Sequence, residues 1–202
     1  MVIAVEGVEG AGKSTLVRAL ALKVRRRGRE VEVLREPGGT PLGEEIRRLL
    51  LETEYELSAE AELFLFMASR AQLVREKILP ALAAGRVVLL DRYLLSSVAY
   101  QGGAGGLGTD TVLAMGRLAV KGAEPDLTLL LDIDPKESLG RLETHRFDRI
   151  EKRHFGYHRD VRRAYLLAAE TYPWPVRVLD AARPPEEVLR DAWSEVDALL
   201  GH

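Results

Sequence analysis

Gly7-Val8-Glu9-Gly10-Ala11-Gly12-Lys13-Ser14 decides the reading of this chain. It satisfies G-x-x-x-x-G-K-[ST] at every fixed position. An apolar run, residues 2–5, precedes it, and a helical pattern with Leu16, Leu20 and Val24 at four-residue spacing follows it up to Gly28. Phosphate chemistry explains the spacing. A triphosphate tail needs successive backbone N–H groups without intervening Cβ atoms, which is why glycine recurs. The helix that follows adds roughly half a positive charge at its N-terminus. Lys13 is placed to reach the β and γ oxygens, and the Ser14 hydroxyl to ligate Mg²⁺, a hard ion that prefers oxygen. The stretch from Gly7 through Val8, Glu9, Gly10, Ala11, Gly12, Lys13 and Ser14 to Thr15 is therefore the candidate triphosphate cradle.

Outward from this loop, further apolar runs occupy residues 86–91, 127–132 and 176–180, with a weaker one at 31–34. Continuous runs of this length suit strands buried on both faces of a parallel sheet. Helical patterns lie between them at residues 13–27, 59–84, 109–121, 135–142, 155–170 and 184–200, with Pro80 as a kink or break. Alternating strands and helices predict a three-layer α/β fold, a five-stranded parallel sheet flanked by helices, in a single domain over residues 1–202. The glycine-rich residues 102–108 read as a flexible segment inside that domain. Residues 141–156, crowded with charge, read as a short lid.

Composition narrows the class. The chain has 202 residues, 47% of them hydrophobic, enough for a substantial core. It has no cysteine, which excludes a disulfide scaffold, a thiolate zinc site and a cysteine nucleophile. Basic residues number 29 and acidic residues 31, so the net charge is −2 and a general nucleic-acid binder is disfavoured. The N-terminus lacks the basic start and long apolar stretch of a signal peptide, and no run reaches a membrane span. The expectation is a cytoplasmic protein with no membrane partner.

Other positions carry chemistry of their own. Asp91 ends a predicted central strand, where open α/β sheets collect ligands, so its carboxylate can hold Mg²⁺ through water; a helix cap is the alternative. Arg92 adds a forked donor set suited to phosphate. Arg35-Glu36-Pro37-Gly38-Gly39-Thr40 leaves a strand and turns, and could be a plain turn. Phe66 and Arg70 share one helix face, which on periodicity alone reads as a core aromatic and a solvated cation. His154 and His158 have no third ligand motif, so a metal pair is disfavoured. Base reading of the N-K-x-D kind is absent, so a switch GTPase is not indicated.

In order along the chain, the cradle, Arg35–Thr40, Asp91-Arg92-Tyr93 with Ser96 and Ala99-Tyr100-Gln101-Gly102, Pro125–Asp132, Asp148-Arg149-Ile150-Glu151 and Asp180-Ala181 resemble the thymidylate kinases. That resemblance covers most of the chain. It implies a P-loop nucleoside monophosphate kinase fold and transfer of the γ-phosphoryl group of ATP to dTMP, with Mg²⁺. It implies that Arg35 and Glu36 line the monophosphate pocket, that Phe66 stacks on thymine and that Arg70 bonds the base. Tyr100 would crowd the sugar 2′ position, Ser97 would face the base where some relatives have asparagine, and Gln101 is a further contact. Glu9 would lie near the acceptor phosphate, and Arg92 would grip that phosphate. Val8, Glu9, Gly10 and Ala11 include no arginine, so the family pattern puts the transition-state arginine in the lid, with Arg146 and Arg149 as candidates. The family also implies a homodimer packed through helices. Two other readings remain open: a kinase for a different monophosphate or small metabolite, and a nucleotide-binding partner protein without transfer.

Overall fold

The computed structural model describes residues 1–141, 149, 150 and 153–201. Strand β1 (Val2–Gly7) leads through the glycine loop into helix α1 (Lys13–Arg26). Strand β2 (Val31–Arg35) is followed by α2 (Pro41–Leu51) and α3 (Ala59–Leu73). A π-helical turn, Val74–Ile78, joins α3 to α4 (Leu79–Ala83). After β3 (Val87–Asp91) come α5 (Leu94–Ser97), a π-helical segment Val98–Ala104, and α6 (Thr109–Ala119). The chain continues through β4 (Leu127–Asp132), α7 (Pro135–Gly140), α8 (Phe155–Thr171), β5 (Val176–Asp180) and α9 (Pro185–Leu200).

The sheet order is β2-β3-β1-β4-β5, and every pair is parallel. All six residues of β1 are buried, which requires cover on both faces. The edge strands β2 and β5 are only partly covered, with Val33 and Val178 exposed. Helices flank the sheet in two packed groups. One is α1 with α9; the other gathers α3, α5, α6 and α8 around the segment Val98–Ala104. The three-layer α/β architecture and all five expected strands are present.

The chain leaves β1 toward β2 and leaves β3 toward β4, in opposite directions along the sheet. Right-handed crossovers then send α1 to one face and the helices after β3 to the other. The ends of β1 and β3 thus border the crevice where such sheets bind ligands. Val5 pairs with Asp91 across it, and Arg35 pairs with Asp91 from the other side.

Three expectations need correction. Residues 41–51 form α2, a helix the apolar patterning did not single out. Thr40 caps it, its hydroxyl accepting from Gly43 N at 2.9 Å, and Pro41 occupies the first turn, where it sacrifices no bond. The expected long helix over 59–84 does not break at Pro80. It absorbs the proline by widening to a π turn just before it, then resumes as α4. The glycines beginning at 102 are not simply flexible: Gly102–Ala104 close the π-helical segment, and a Cβ on Gly103 would collide with Ala164 of α8. Glycine there permits close helix packing.

Candidate active site

The cradle starts at Gly7, whose φ is +140° and whose added Cβ would lie against the carbonyl oxygen of Leu131 in β4. Only glycine turns the chain off β1 that close to its neighbour. Gly12 precedes α1 with φ +95°. No side chain caps α1, and no acid sits in its first turn. By contrast α2, α3, α7 and α8 are capped by Thr40, Ser58, Asp134 and His154. An uncapped, acid-free helix start presents its first N–H groups and positive dipole end to the loop, which suits a phosphate.

Lys13 is buried and donates from Nζ to the Val8 carbonyl at 2.7 Å. Burial, reinforced by repulsion from Arg92, lowers its pKa from 10.5 to about 8, against the attraction of Glu9, Asp91 and Glu6. Ser14 Oγ donates to Asp91 Oδ2 at 2.5 Å. These two oxygen donors stand together at the mouth of the cradle and fit a hard ion such as Mg²⁺. Among the described residues no three His, Cys, Asp or Glu side chains group as a metal cage. An ion held here would share its coordination with nucleotide phosphates.

Arg92 stands between the cradle and the cavity beside it. Its φ of +71° is a left-handed conformation that a residue with a Cβ adopts only at a cost. A web of partners fixes the guanidinium. Nη1 donates to the Gly7 carbonyl at 3.0 Å, Ser96 Oγ at 3.3 Å and Tyr165 Oη at 3.2 Å, and Nη2 donates to Glu9 Oε1 at 2.8 Å. Beneath it lies Glu6, fully buried, which accepts from Tyr93 N at 2.8 Å, Ser96 N at 3.1 Å and Tyr165 Oη at 3.0 Å. Burial pushes the Glu6 carboxyl up, although the Ser96 bond and Arg92 oppose it. The Glu6 contacts tie α5 and α8 to β1 and so fix the floor under Arg92.

Glu9 faces Arg92 and also accepts from Tyr100, whose hydroxyl lies 2.7 Å from each carboxylate oxygen. Burial alone would raise the Glu9 carboxyl. Arg92 and Lys13, with the Tyr100 bond, overcome it and hold the group below its ordinary value. Tyr100 therefore orients Glu9 with its hydroxyl while its ring lies against Arg92, the guanidinium carbon 5.3 Å from the ring centroid.

A single cavity of about 300 Å³ contains both regions. Glu9, Lys13, Ser14 and Asp91 line one end, and Phe66, Arg70, Ser97 and Gln101 line the other. Arg70 is fully enclosed: Nε donates to Glu36 Oε2 at 2.7 Å, Nη1 to Ser97 Oγ at 3.1 Å and Nη2 to the Tyr93 carbonyl at 2.9 Å. The solvated-cation reading of Arg70 is thereby excluded. Burial raises the Glu36 carboxyl to about 7 against the pull of Arg70. Its Oε1 is buried with no hydrogen-bond partner among the described residues. Arg35 lines the cavity but turns its exposed guanidinium to Glu44, 3.2 Å away.

Arg149 is engaged with α2 and α3. Its Nη2 pairs with Glu62, its Nε donates to the Leu50 carbonyl at 2.8 Å, and its backbone N–H donates to the Leu51 carbonyl at 3.1 Å. These acceptors hold it on α3 and the end of α2. Arg146 and His145 lie outside the described residues, as does most of the expected lid. His154 caps α8 through Nδ1, accepting from Tyr157 N at 3.1 Å, and His158 is buried 3.8 Å from Glu9. Sequence reasoning missed Arg47, which reaches the cavity from α2 and donates to the Pro37 carbonyl at 2.9 Å. The Thr40–Pro41 helix start was the signal that could have placed it.

A family model described as thymidylate kinase matches residues 5–192. The chain belongs to the thymidylate kinase family. It is 42% identical to the thymidylate kinase of Chlorobaculum parvum over 209 residues, covering 98% of this chain and 96% of that protein. Against the thymidylate kinase of Halothermothrix orenii the identity is 43% over 202 residues, with 98% and 97% covered. Against that of Chlamydia trachomatis it is 43% over 203 residues, with 99% and 100% covered. The fold described above is the P-loop kinase fold of this family, and the chain is a kinase. Among the described residues no helix is long and apolar enough to cross a membrane.

Proposed function

We infer that this kinase transfers the γ-phosphoryl group of ATP to dTMP, giving dTDP and ADP. The observation that carries the reading is the continuity of the site: an uncapped helix start with Lys13 opens into the same cavity as Phe66 and Arg70. One end suits a triphosphate and the other a flat base with an acceptor oxygen.

In this reading the loop from Gly7 to Thr15 binds the ATP phosphates through backbone N–H groups, and Lys13 binds the β and γ oxygens. Ser14 and Asp91 would hold Mg²⁺, which would supply charge neutralisation at the phosphates when bound. Phe66 stacks on the base, and Arg70, fixed by Glu36, donates to it. Ser97 and Gln101 complete the base pocket. Arg35 borders the acceptor entrance. Arg92 grips the acceptor phosphate, while Glu9, oriented by Tyr100, stands beside the attacking oxygen. A phosphate oxygen is already nucleophilic at neutral pH, so Glu9 positions rather than deprotonates. The attacking oxygen forms a new bond to the γ phosphorus as the bond to the β-bridging oxygen breaks, and ADP leaves with that oxygen. Charge spread over the transferred group is met by Lys13 and Arg92.

The protein acts in the cytoplasm as a homodimer, with the exposed Phe64 of α3 in the seam. A coupled ADP-release assay across nucleoside monophosphates tests the reading. Turnover greatest with dTMP is expected. Turnover greatest with dAMP or GMP would reassign the acceptor, and ATP binding without turnover on any acceptor would leave only a nucleotide-binding role.

A further inference from the structure

Glu62 is a buried carboxylate that the phosphoryl-transfer chemistry does not use. It stands on α3 four residues before Phe66 and eight before Arg70, on the same helix face as both. Its two oxygens have different partners. Oε2 accepts from Arg149 Nη2 and from Arg153 Nη2, the latter at 2.9 Å. Oε1 accepts from Gln101 Nε2 at 2.9 Å, and that bond is buried.

The chemistry of the second contact is directional. A glutamine side chain has nearly the same shape with its amide turned either way, so packing alone does not decide which end faces the cavity. A carboxylate decides it, because it only accepts. The amide nitrogen must face Glu62, and the carbonyl is the end left for the cavity that Gln101 lines. The two guanidinium groups on Oε2 compensate the buried charge that enforces this choice.

We propose that Glu62 is a specificity-positioning residue, locking Gln101 so that its carbonyl accepts from the N3–H of a thymine-type base and turns away cytosine. The bases differ at the edge in question. Thymine and uracil carry a donor at N3 beside an acceptor at O4; cytosine carries an acceptor at N3 beside an amino donor at N4. A fixed carbonyl from Gln101 together with the donor Arg70 matches the first pattern and opposes the second at both positions. With the lock removed, the amide is free to turn and present its N–H₂, which suits the cytosine N3. Arg149 and Arg153 thereby act on base choice through Glu62, without touching the nucleotide.

The inference rests on the acceptor reading given above and deepens it. Its test compares kcat/KM for dTMP and dCMP in the wild-type kinase, Glu62→Gln, Gln101→Ala and the double variant. The expected result is a wild-type preference for dTMP that falls roughly 10- to 100-fold in Glu62→Gln, with KM for ATP unchanged. A merely structural loss would lower both acceptors together and leave the ratio intact. The double variant is expected to match Gln101→Ala alone, since Glu62 acts through that side chain. If Glu62→Gln does not fold, Glu62→Ala, which leaves the Gln101 amide without its acceptor, carries the same expectation. A preference that survives in Gln101→Ala, or in a folded Glu62→Gln or Glu62→Ala, overturns the proposal while leaving the acceptor reading intact. A wild-type kinase that uses dCMP as well as dTMP overturns both.

Discussion

The phosphate cradle takes its ligand groups from consecutive residues of one loop, whereas the base pocket beside it collects Glu36, Phe66, Arg70, Ser97 and Gln101 from three separate stretches of chain. In the proposed reading the cradle binds through backbone N–H groups, so its specification is glycine at positions where a Cβ would collide, as at Gly7 against Leu131. In the proposed reading the pocket binds through side chains, and two of them are aimed by others: Arg70 by Glu36, and Gln101 by Glu62. A backbone site tolerates any polyphosphate; a pocket of aimed side chains can tell bases apart. On this reading the two regions divide the work, charge on one side and identity on the other.

Variants in the two regions should fail in different ways. Lys13→Ala removes the cation from the cradle and should lower kcat by about 10²–10³-fold, with KM for dTMP little changed; steady-state kinetics checks it. Tyr100→Phe keeps the ring and deletes the donor to Glu9. A hydrogen bond to a charged group contributes about 1.5–3 kcal/mol, so kcat/KM for dTMP should fall roughly 10- to 100-fold. Phe66→Ala strips the stacking surface and should raise KM for dTMP roughly 5- to 50-fold, leaving KM for ATP alone. The cradle should also carry a pH signature. Lys13 has a pKa of about 8 in the folded protein, and in the proposed reading its protonated form is the one that binds phosphate. The kcat/KM for ATP should thus decline as pH rises past about 8. Stability should respond oppositely: the folded chain binds fewer protons than the unfolded chain between about 8 and 10.5, so the Lys13 contribution rises with pH across that window. Melting curves and kinetics over the same buffers separate the two trends. The smallest effect is expected outside both regions, at Gly103→Ala. Overpacking against Ala164 should cost about 1–3 kcal/mol and lower Tm by several degrees, without altering base preference.

The same contrast governs what the sequence could disclose. Strands β1, β3 and β4 are legible because double-sided burial demands unbroken apolar runs, and the half-exposed edge strand β2 gives the fainter pattern. The cradle is legible because its constraint is local. Helix α2 escaped because its Thr40–Pro41 start is fused to a Pro-Gly-Gly turn, and with it went Arg47. Pro80 marked a disturbance, but not that a π turn would absorb it. The roles of Arg149 and Glu36 depend on partners 87 and 34 residues away, Glu62 and Arg70, and no local spacing encodes such a meeting. The family resemblance named the pocket residues; only the folded chain shows which of them hold the others.

A crystal structure of the kinase with dTMP and a non-hydrolysable ATP analogue bound together tests the central claim most directly. The account predicts the β and γ phosphates within hydrogen-bond distance of Lys13 Nζ and the first N–H groups of α1, with thymine lying on Phe66 and its phosphate against Arg92. Triphosphate density away from residues 7–15, or a base seated anywhere but over Phe66, would contradict it.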